Sequence, residues 1–75
     1  MQQSRRLTAI IEREGDGYVA LCPELDVASQ GDSLEEARAN LIKALTLFFE
    51  TAGASEIEQR FHSDLFVTQV EVPVG

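Results

Sequence analysis

The chain has 75 residues, with six Lys and Arg against 13 Asp and Glu and a net charge of −7. This charge disfavours direct binding to nucleic-acid phosphates or to anionic membranes and favours a basic protein partner. The length predicts one domain, residues 1–75, without a separate DNA-binding domain. A single cysteine excludes an internal disulfide, so we expect additional stability from self-association as a dimer or tetramer.

The first part of the chain predicts three strands. Residues 7–14 are rich in apolar and β-branched types and end at a Gly-Asp-Gly turn, residues 15–17, which supplies the positive φ angles of a tight hairpin. The returning strand, residues 18–22, stops before Pro23, because proline cannot donate to a central ladder. Residues 27–30 can form a third strand before Gly31.

A helix is predicted to begin at Ser33, where Ser33 and Glu36 have the spacing of a capping box. Gly53 is expected to end it. Apolar residues recur at three- and four-residue steps and form one stripe: Leu34, Ala37, Leu41, Ala44, Leu45 and Phe48. Residues 54–64 show no clear periodicity and remain unassigned. Residues 65–72 have the composition of a strand, which Pro73 ends.

The predicted order is therefore β-β-β-α-β, an α+β domain in which one helix packs on one face of a small antiparallel sheet. The other sheet face has no cover, and apolar residues of the first two strands point outward from it. An uncovered apolar face of this kind is typical of an interface. The polar N-terminus and the short apolar runs predict a cytoplasmic protein without a signal peptide or a membrane span.

Loop residues around the sheet are the candidates for binding a partner: Asp16, Tyr18, Glu24, Asp26 and Asp32. Loop carboxylates can meet Lys or Arg without a large desolvation cost, and tyrosine is enriched at interfaces. Clustered carboxylates can also hold a divalent cation, but turn and helix-start positions account for Asp16 and Asp32. No catalytic, cofactor-binding or metal-binding residue is predicted. Cys22 is expected to be buried and His62 to lie at the surface, and no motif joins them.

Two motifs resemble the HicB antitoxin family. They read GYVALCPEL at residues 17–25 and GDSLEEA at residues 31–37, followed by Asn40, and the similarity covers about residues 7–45. The resemblance implies a partial ribonuclease-H-like βββαβ fold, self-assembly, and the role of antitoxin in a type II toxin–antitoxin pair. Such an antitoxin binds and neutralises a small basic toxin of the HicA type, which cleaves RNA.

The resemblance has two departures. Many inhibitory members of that family carry a second, DNA-binding domain, which we do not expect here, and Lys43 stands where an acidic residue is more typical. The alternative is an orphan oligomeric regulatory or scaffold domain that binds another protein without catalysis.

Overall fold

The computed structural model describes residues 6–62 and 64–75. Three strands, β1 (Ile10–Glu14), β2 (Gly17–Cys22) and β3 (Val27–Gly31), are followed by two helices, α1 (Leu34–Thr51) and α2 (Ala54–Arg60). The α+β class, the three-stranded antiparallel sheet and the long helix are therefore confirmed.

Strand β2 lies between β1 and β3 and pairs antiparallel with both. Gly15, with φ of 61°, supplies the positive φ angle that the β1–β2 turn requires. Because side chains alternate along each strand, one face packs under α1 and the other points away from it. Ile10, Leu21 and Ala28 lie side by side on the face away from α1, and Ile10 and Ala28 are exposed. This is the open apolar face that the sequence predicts.

The core lies between the sheet and α1. Its fully buried residues are Ala20, Cys22, Leu25, Ala37 and Leu41, and half-buried apolar side chains surround them, among them Leu45 and Phe48. The predicted helix stripe is confirmed from Ala37 onward. Leu34 is an exception, since its side chain is 46% exposed in the first turn.

The junction between β3 and α1 is tight and capped. Ser33 Oγ accepts a hydrogen bond from the Glu36 N–H at 3.1 Å, as the capping box predicts, and the Glu36 carboxylate accepts one from the Asp32 N–H at 3.3 Å. A Cβ atom on Gly31 would lie 2.5 Å from the backbone nitrogen of Ala37. Only glycine therefore lets β3 turn this closely into α1.

Helix α1 ends before Gly53, but the prediction that Gly53 itself ends the helix is wrong. Gly53 has φ of −74° and is the N-cap of α2, whereas Ala52 ends α1 and donates its N–H to the Phe48 carbonyl at 2.9 Å. The segment left unassigned in the sequence thus begins with a second helix. Its contacts with distant residues, described below, hold it in place.

The predicted fourth strand, residues 65–72, is also wrong for this chain by itself. A strand needs a neighbour for its backbone groups, and within the described residues the sheet contains only β1, β2 and β3. Phe66 is 88% exposed and Val70 79% exposed. The observed order is βββαα, and the ribonuclease-H-like arrangement that the resemblance implies stays a prediction.

Among residues 6–62 and 64–75, neither helix is both long enough and apolar enough to cross a membrane.

Candidate protein-binding site

The five predicted partner-binding residues separate to two ends of the sheet. Asp16, Tyr18 and Asp32 lie at the end that carries the β1–β2 hairpin turn, which we call the hairpin end. Glu24 and Asp26 lie in the β2–β3 loop at the opposite end, which we call the loop end. The six residues of β2 separate the two ends by roughly 20 Å. The two groups therefore do not share one groove.

The hairpin end contains an open groove of about 580 Å³. Tyr18 and Asp32, both predicted from the sequence, line it together with two further acidic residues, Glu14 and Glu36. Tyr18 is half-buried, whereas the three acidic residues are exposed. Asp16 is exposed in the adjoining turn. The structure thus brings four acidic residues and one aromatic ring to one end of the molecule.

The groove is suited to a cationic side chain. The remaining residues that line it are glycine, valine and glutamine, and its lining includes no Lys or Arg. Exposed carboxylates can bind an Arg guanidinium through two parallel hydrogen bonds or a Lys ammonium as a point charge. The Tyr18 ring adds an apolar surface with a polar hydroxyl, a combination typical of interfaces.

Glu14 and Glu36 were missed in the sequence. Strand register carries the signal for Glu14, because its pairing with Gly17 places it at the hairpin end, next to the pair of Arg13 and Tyr18. Glu36 was interpreted only as a capping residue. Its side chain does reach back to the Asp32 N–H, and that contact also holds its carboxylate at the groove.

The Glu24 carboxylate has a structural role at the loop end. Its Oε1 and Oε2 accept the Thr8 N–H at 3.1 and 3.0 Å, and Oε2 also accepts the Thr8 hydroxyl at 2.7 Å. Oε1 further accepts the Cys22 thiol at 3.4 Å. Burial by itself would raise the pKa of Glu24, but the hydrogen bonds, chiefly from the Thr8 side chain, outweigh it and lower that pKa. This carboxylate therefore ties the chain before β1 to the end of β2.

Backbone oxygens of the same loop anchor α2 and the residues after it. Arg60 Nη2 donates to the Leu25 carbonyl at 3.0 Å, and its guanidinium lies 5.1 Å from the centre of the Phe48 ring. The His62 N–H donates to the Glu24 carbonyl at 2.7 Å. The loop end is thus closed by contacts within the chain.

Asp26, the other predicted residue at the loop end, is exposed and has φ of 56°. Aspartate is one of the few residues other than glycine that adopt this left-handed conformation readily. Its position is therefore explained by the turn that directs the preceding Leu25 into the core.

Cys22 and His62 lie in different environments. The thiol is buried, and burial together with the hydrogen bond to Glu24 raises the pKa of Cys22, which disfavours the reactive thiolate. The His62 side chain is exposed, as predicted. In the part of the chain that the structure describes, no group of three His, Cys, Asp or Glu residues is placed to hold a metal ion.

Comparison with known proteins finds relatives that share one name. A UPF0150 protein of Helicobacter pylori is 31% identical over 67 residues, which is 88% of this chain and 93% of the relative. Two UPF0150 proteins of Synechocystis are 52% and 42% identical over 59% and 67% of this chain. The chain spans slightly less than two thirds of these two relatives, 64% and 66%. No family model and no solved structure matches it.

Proposed function

We propose that the chain, which belongs to the UPF0150 family, is a HicB-type antitoxin. The motifs at residues 17–25 and 31–40 resemble those of HicB antitoxins and support this proposal. The protein binds and neutralises a small basic toxin of the HicA type, which cleaves RNA. The proposal concerns the activity of the protein as a whole. The names of the relatives state no activity, so the support comes from the motifs and from the groove.

The acidic groove at the hairpin end is the observation that carries this proposal. A toxin that holds RNA phosphates must present Lys or Arg on its surface. Exposed carboxylates at Glu14, Asp16, Asp32 and Glu36 offer those cations a competing set of acceptors, and Tyr18 offers an aromatic contact. The acidic domain then occupies the surface that would otherwise bind the RNA backbone. Inhibition is therefore both steric and electrostatic.

The test is a titration of a purified HicA-type toxin with this protein, with cleavage of a labelled RNA as the readout. We expect cleavage to fall to background near equimolar protein. Inhibition should weaken as salt rises, because exposed charge pairs are screened over about 8–10 Å at physiological ionic strength. Cleavage that continues unchanged in a severalfold excess of the protein would contradict the proposal.

The proposal contains no catalytic step and no direct contact with nucleic acid. The raised pKa of the buried Cys22 thiol and the net charge of −7 support these two parts. Purified protein should leave RNA intact with and without divalent metal ions. RNA cleavage that copurifies with the protein and disappears on Asp32→Asn would contradict this part.

An oligomeric regulator or scaffold is the second candidate, which the open sheet face with Ile10, Leu21 and Ala28 favours. Such a protein would bind a partner without blocking RNA cleavage. The same titration separates the two functions, since a scaffold would associate with its partner and leave ribonuclease activity unchanged.

A further inference from the structure

We infer that the Leu25 carbonyl and the Phe48 ring form a binding site for a guanidinium group. Arg60 of the same chain occupies this site, and an arginine of a partner protein can bind there when α2 detaches. The inference goes beyond the antitoxin function and does not depend on it. It rests on the contacts of Arg60 and on the weak attachment of α2 to the rest of the fold.

The Arg60 guanidinium contacts two partners of different kinds. Its Nη2 donates to the Leu25 carbonyl at 3.0 Å, and its central carbon lies 5.1 Å from the centre of the Phe48 ring. A guanidinium is planar and carries five N–H donors, so it can stack on an aromatic ring and donate to a carbonyl at the same time. A lysine ammonium is a compact point charge without a flat face. The site therefore favours arginine over lysine.

Both partners of Arg60 belong to parts of the fold outside α2. The Leu25 side chain is fully buried, which fixes the position of its carbonyl at the loop end. Phe48 is a half-buried residue of α1 that packs against the core. The Phe49 ring lies 5.5 Å from the Phe48 ring at 74°, an edge-to-face arrangement that restricts its orientation. The carbonyl and the ring therefore stay in place when α2 leaves them.

Helix α2 is weakly attached. It has seven residues, its N-cap Gly53 makes no side-chain hydrogen bond, and none of its residues is buried. A helix this short is not stable in water by itself. Beside the half-buried Phe61, the contacts of Arg60 and the His62 N–H to the Glu24 carbonyl hold it in place. All fully buried core residues lie in the sheet, the β2–β3 loop and α1, so we expect α2 to open while these elements stay folded.

Release of Arg60 leaves no unpaired charge in the protein, because a backbone carbonyl and a phenyl ring are both neutral. Removal of one partner from a buried ion pair, by contrast, leaves an uncompensated charge. The vacated site offers an aromatic ring and a carbonyl in a protein with a net charge of −7, which attracts cationic partners. An arginine from another protein restores the same two contacts. Arg60 is therefore an internal competitor for this site.

Arg60→Ala tests the attachment of α2. Arg38→Ala is the matched control, since Arg38 is exposed on α1 and its loss changes the net charge equally. Amide hydrogen exchange in residues 54–62 should become faster by roughly tenfold or more in Arg60→Ala and remain near wild type in Arg38→Ala. Exchange in β2 should be unchanged in both variants. Unchanged exchange in α2, or loss of structure throughout the domain, would overturn the inference, because α2 would then not be a separate element held by Arg60.

Titration with methylguanidinium at constant ionic strength tests the site itself, with methylammonium as a cation of the same charge. The NMR signals of the Phe48 ring and the Leu25 amide report on the loop end, at the opposite end of the sheet from the acidic groove. In Arg60→Ala, methylguanidinium should shift both signals to saturation. In wild type the half-saturating concentration should be roughly tenfold higher or more, because Arg60 competes.

Equal titration curves for wild type and Arg60→Ala, or equal shifts with methylammonium, would overturn the inference. The capped peptide acetyl-Gly-Arg-Gly-amide tests whether an arginine within a chain can enter the site. We expect it to shift the same two signals in Arg60→Ala. No shift with the peptide where methylguanidinium binds would overturn the assignment of a partner's arginine as the ligand.

Discussion

Both ends of the sheet carry acidic side chains, but the carboxylates have different roles at the two ends. At the loop end, the Glu24 carboxylate accepts hydrogen bonds from Thr8 and Cys22. Arg60 and His62 donate hydrogen bonds to backbone carbonyls of the same loop. At the hairpin end, the carboxylates of Asp16 and Asp32 are exposed beside a groove.

The difference shows what separates an acidic residue that stabilises the fold from one available to a partner. The carboxylate of Glu24 lies between two chain segments that carry N–H, O–H and S–H donors and cannot leave them without a cost. Asp16 and Asp32 can exchange water for an Arg or Lys of another protein at little cost. The comparison predicts that changes to the Glu24 contacts at the loop end alter stability, whereas changes to the exposed carboxylates at the hairpin end alter recognition.

The largest effect on stability is expected from Leu25→Ala at the loop end. Leu25 is fully buried, and loss of its side chain leaves a cavity in the core beneath α1. Substitutions of this type cost about 2–5 kcal/mol. Denaturant unfolding followed by circular dichroism measures it, with Asp32→Asn at the hairpin end as the matched control, which should remain within about 0.5 kcal/mol. Equal stability of the two variants would remove the distinction between the ends.

Glu24→Gln should destabilise the protein by about 1–3 kcal/mol, because the amide keeps the shape of the carboxylate but loses its charge-assisted hydrogen bonds. The effect should depend on pH. The folded-state pKa of Glu24 is lowered, so its contribution is present above the unfolded pKa and is lost as the pH falls through the folded value.

The measurement for Glu24 is the unfolding midpoint of wild type and variant between about pH 7 and pH 3. The difference between them should be largest at neutral pH and should shrink below about pH 5. A difference that stays constant over this range would mean that the charge of Glu24 does not contribute.

Ser33→Ala is expected to cost about 1 kcal/mol through the loss of the helix cap at the hairpin end. Affinity for the toxin should not change, because Ser33 does not line the groove. Ser55→Ala is the control, since Ser55 is exposed and α2 has no side-chain cap. An unchanged unfolding midpoint for Ser33→Ala would show that the cap does not hold α1 in solution.

Local signals in the sequence predicted most of the fold. The glycine turn, Pro23 and the capping box specify three strands and the start of α1, because each acts over a few residues. The position of α2 depends on hydrogen bonds from Arg60 and His62 to carbonyl groups far away in the sequence. The carbonyl that Arg60 contacts belongs to a residue 35 positions earlier. Periodicity cannot reveal such contacts.

The site was predicted in part for the same reason. Asp16, Tyr18 and Asp32 were found because turns and helix starts are visible in the sequence. In the sequence, Glu24 looks like the other loop carboxylates. Its structural role depends on hydrogen bonds from Thr8, which lies 16 positions away. Residues 65–72 have strand composition, but composition alone does not show whether a neighbouring strand is placed beside them.

The most direct test of the central claim measures association with the toxin for two variants that change the net charge equally. Asp16→Asn with Asp32→Asn removes two charges at the hairpin end. Asp26→Asn with Asp64→Asn removes two exposed charges elsewhere, and asparagine tolerates the left-handed conformation of Asp26. Stopped-flow association at low and high salt should be slower by roughly tenfold for the hairpin-end variant at low salt and near wild type for the other. Equal rates for the two variants would contradict the assignment of recognition to the hairpin end.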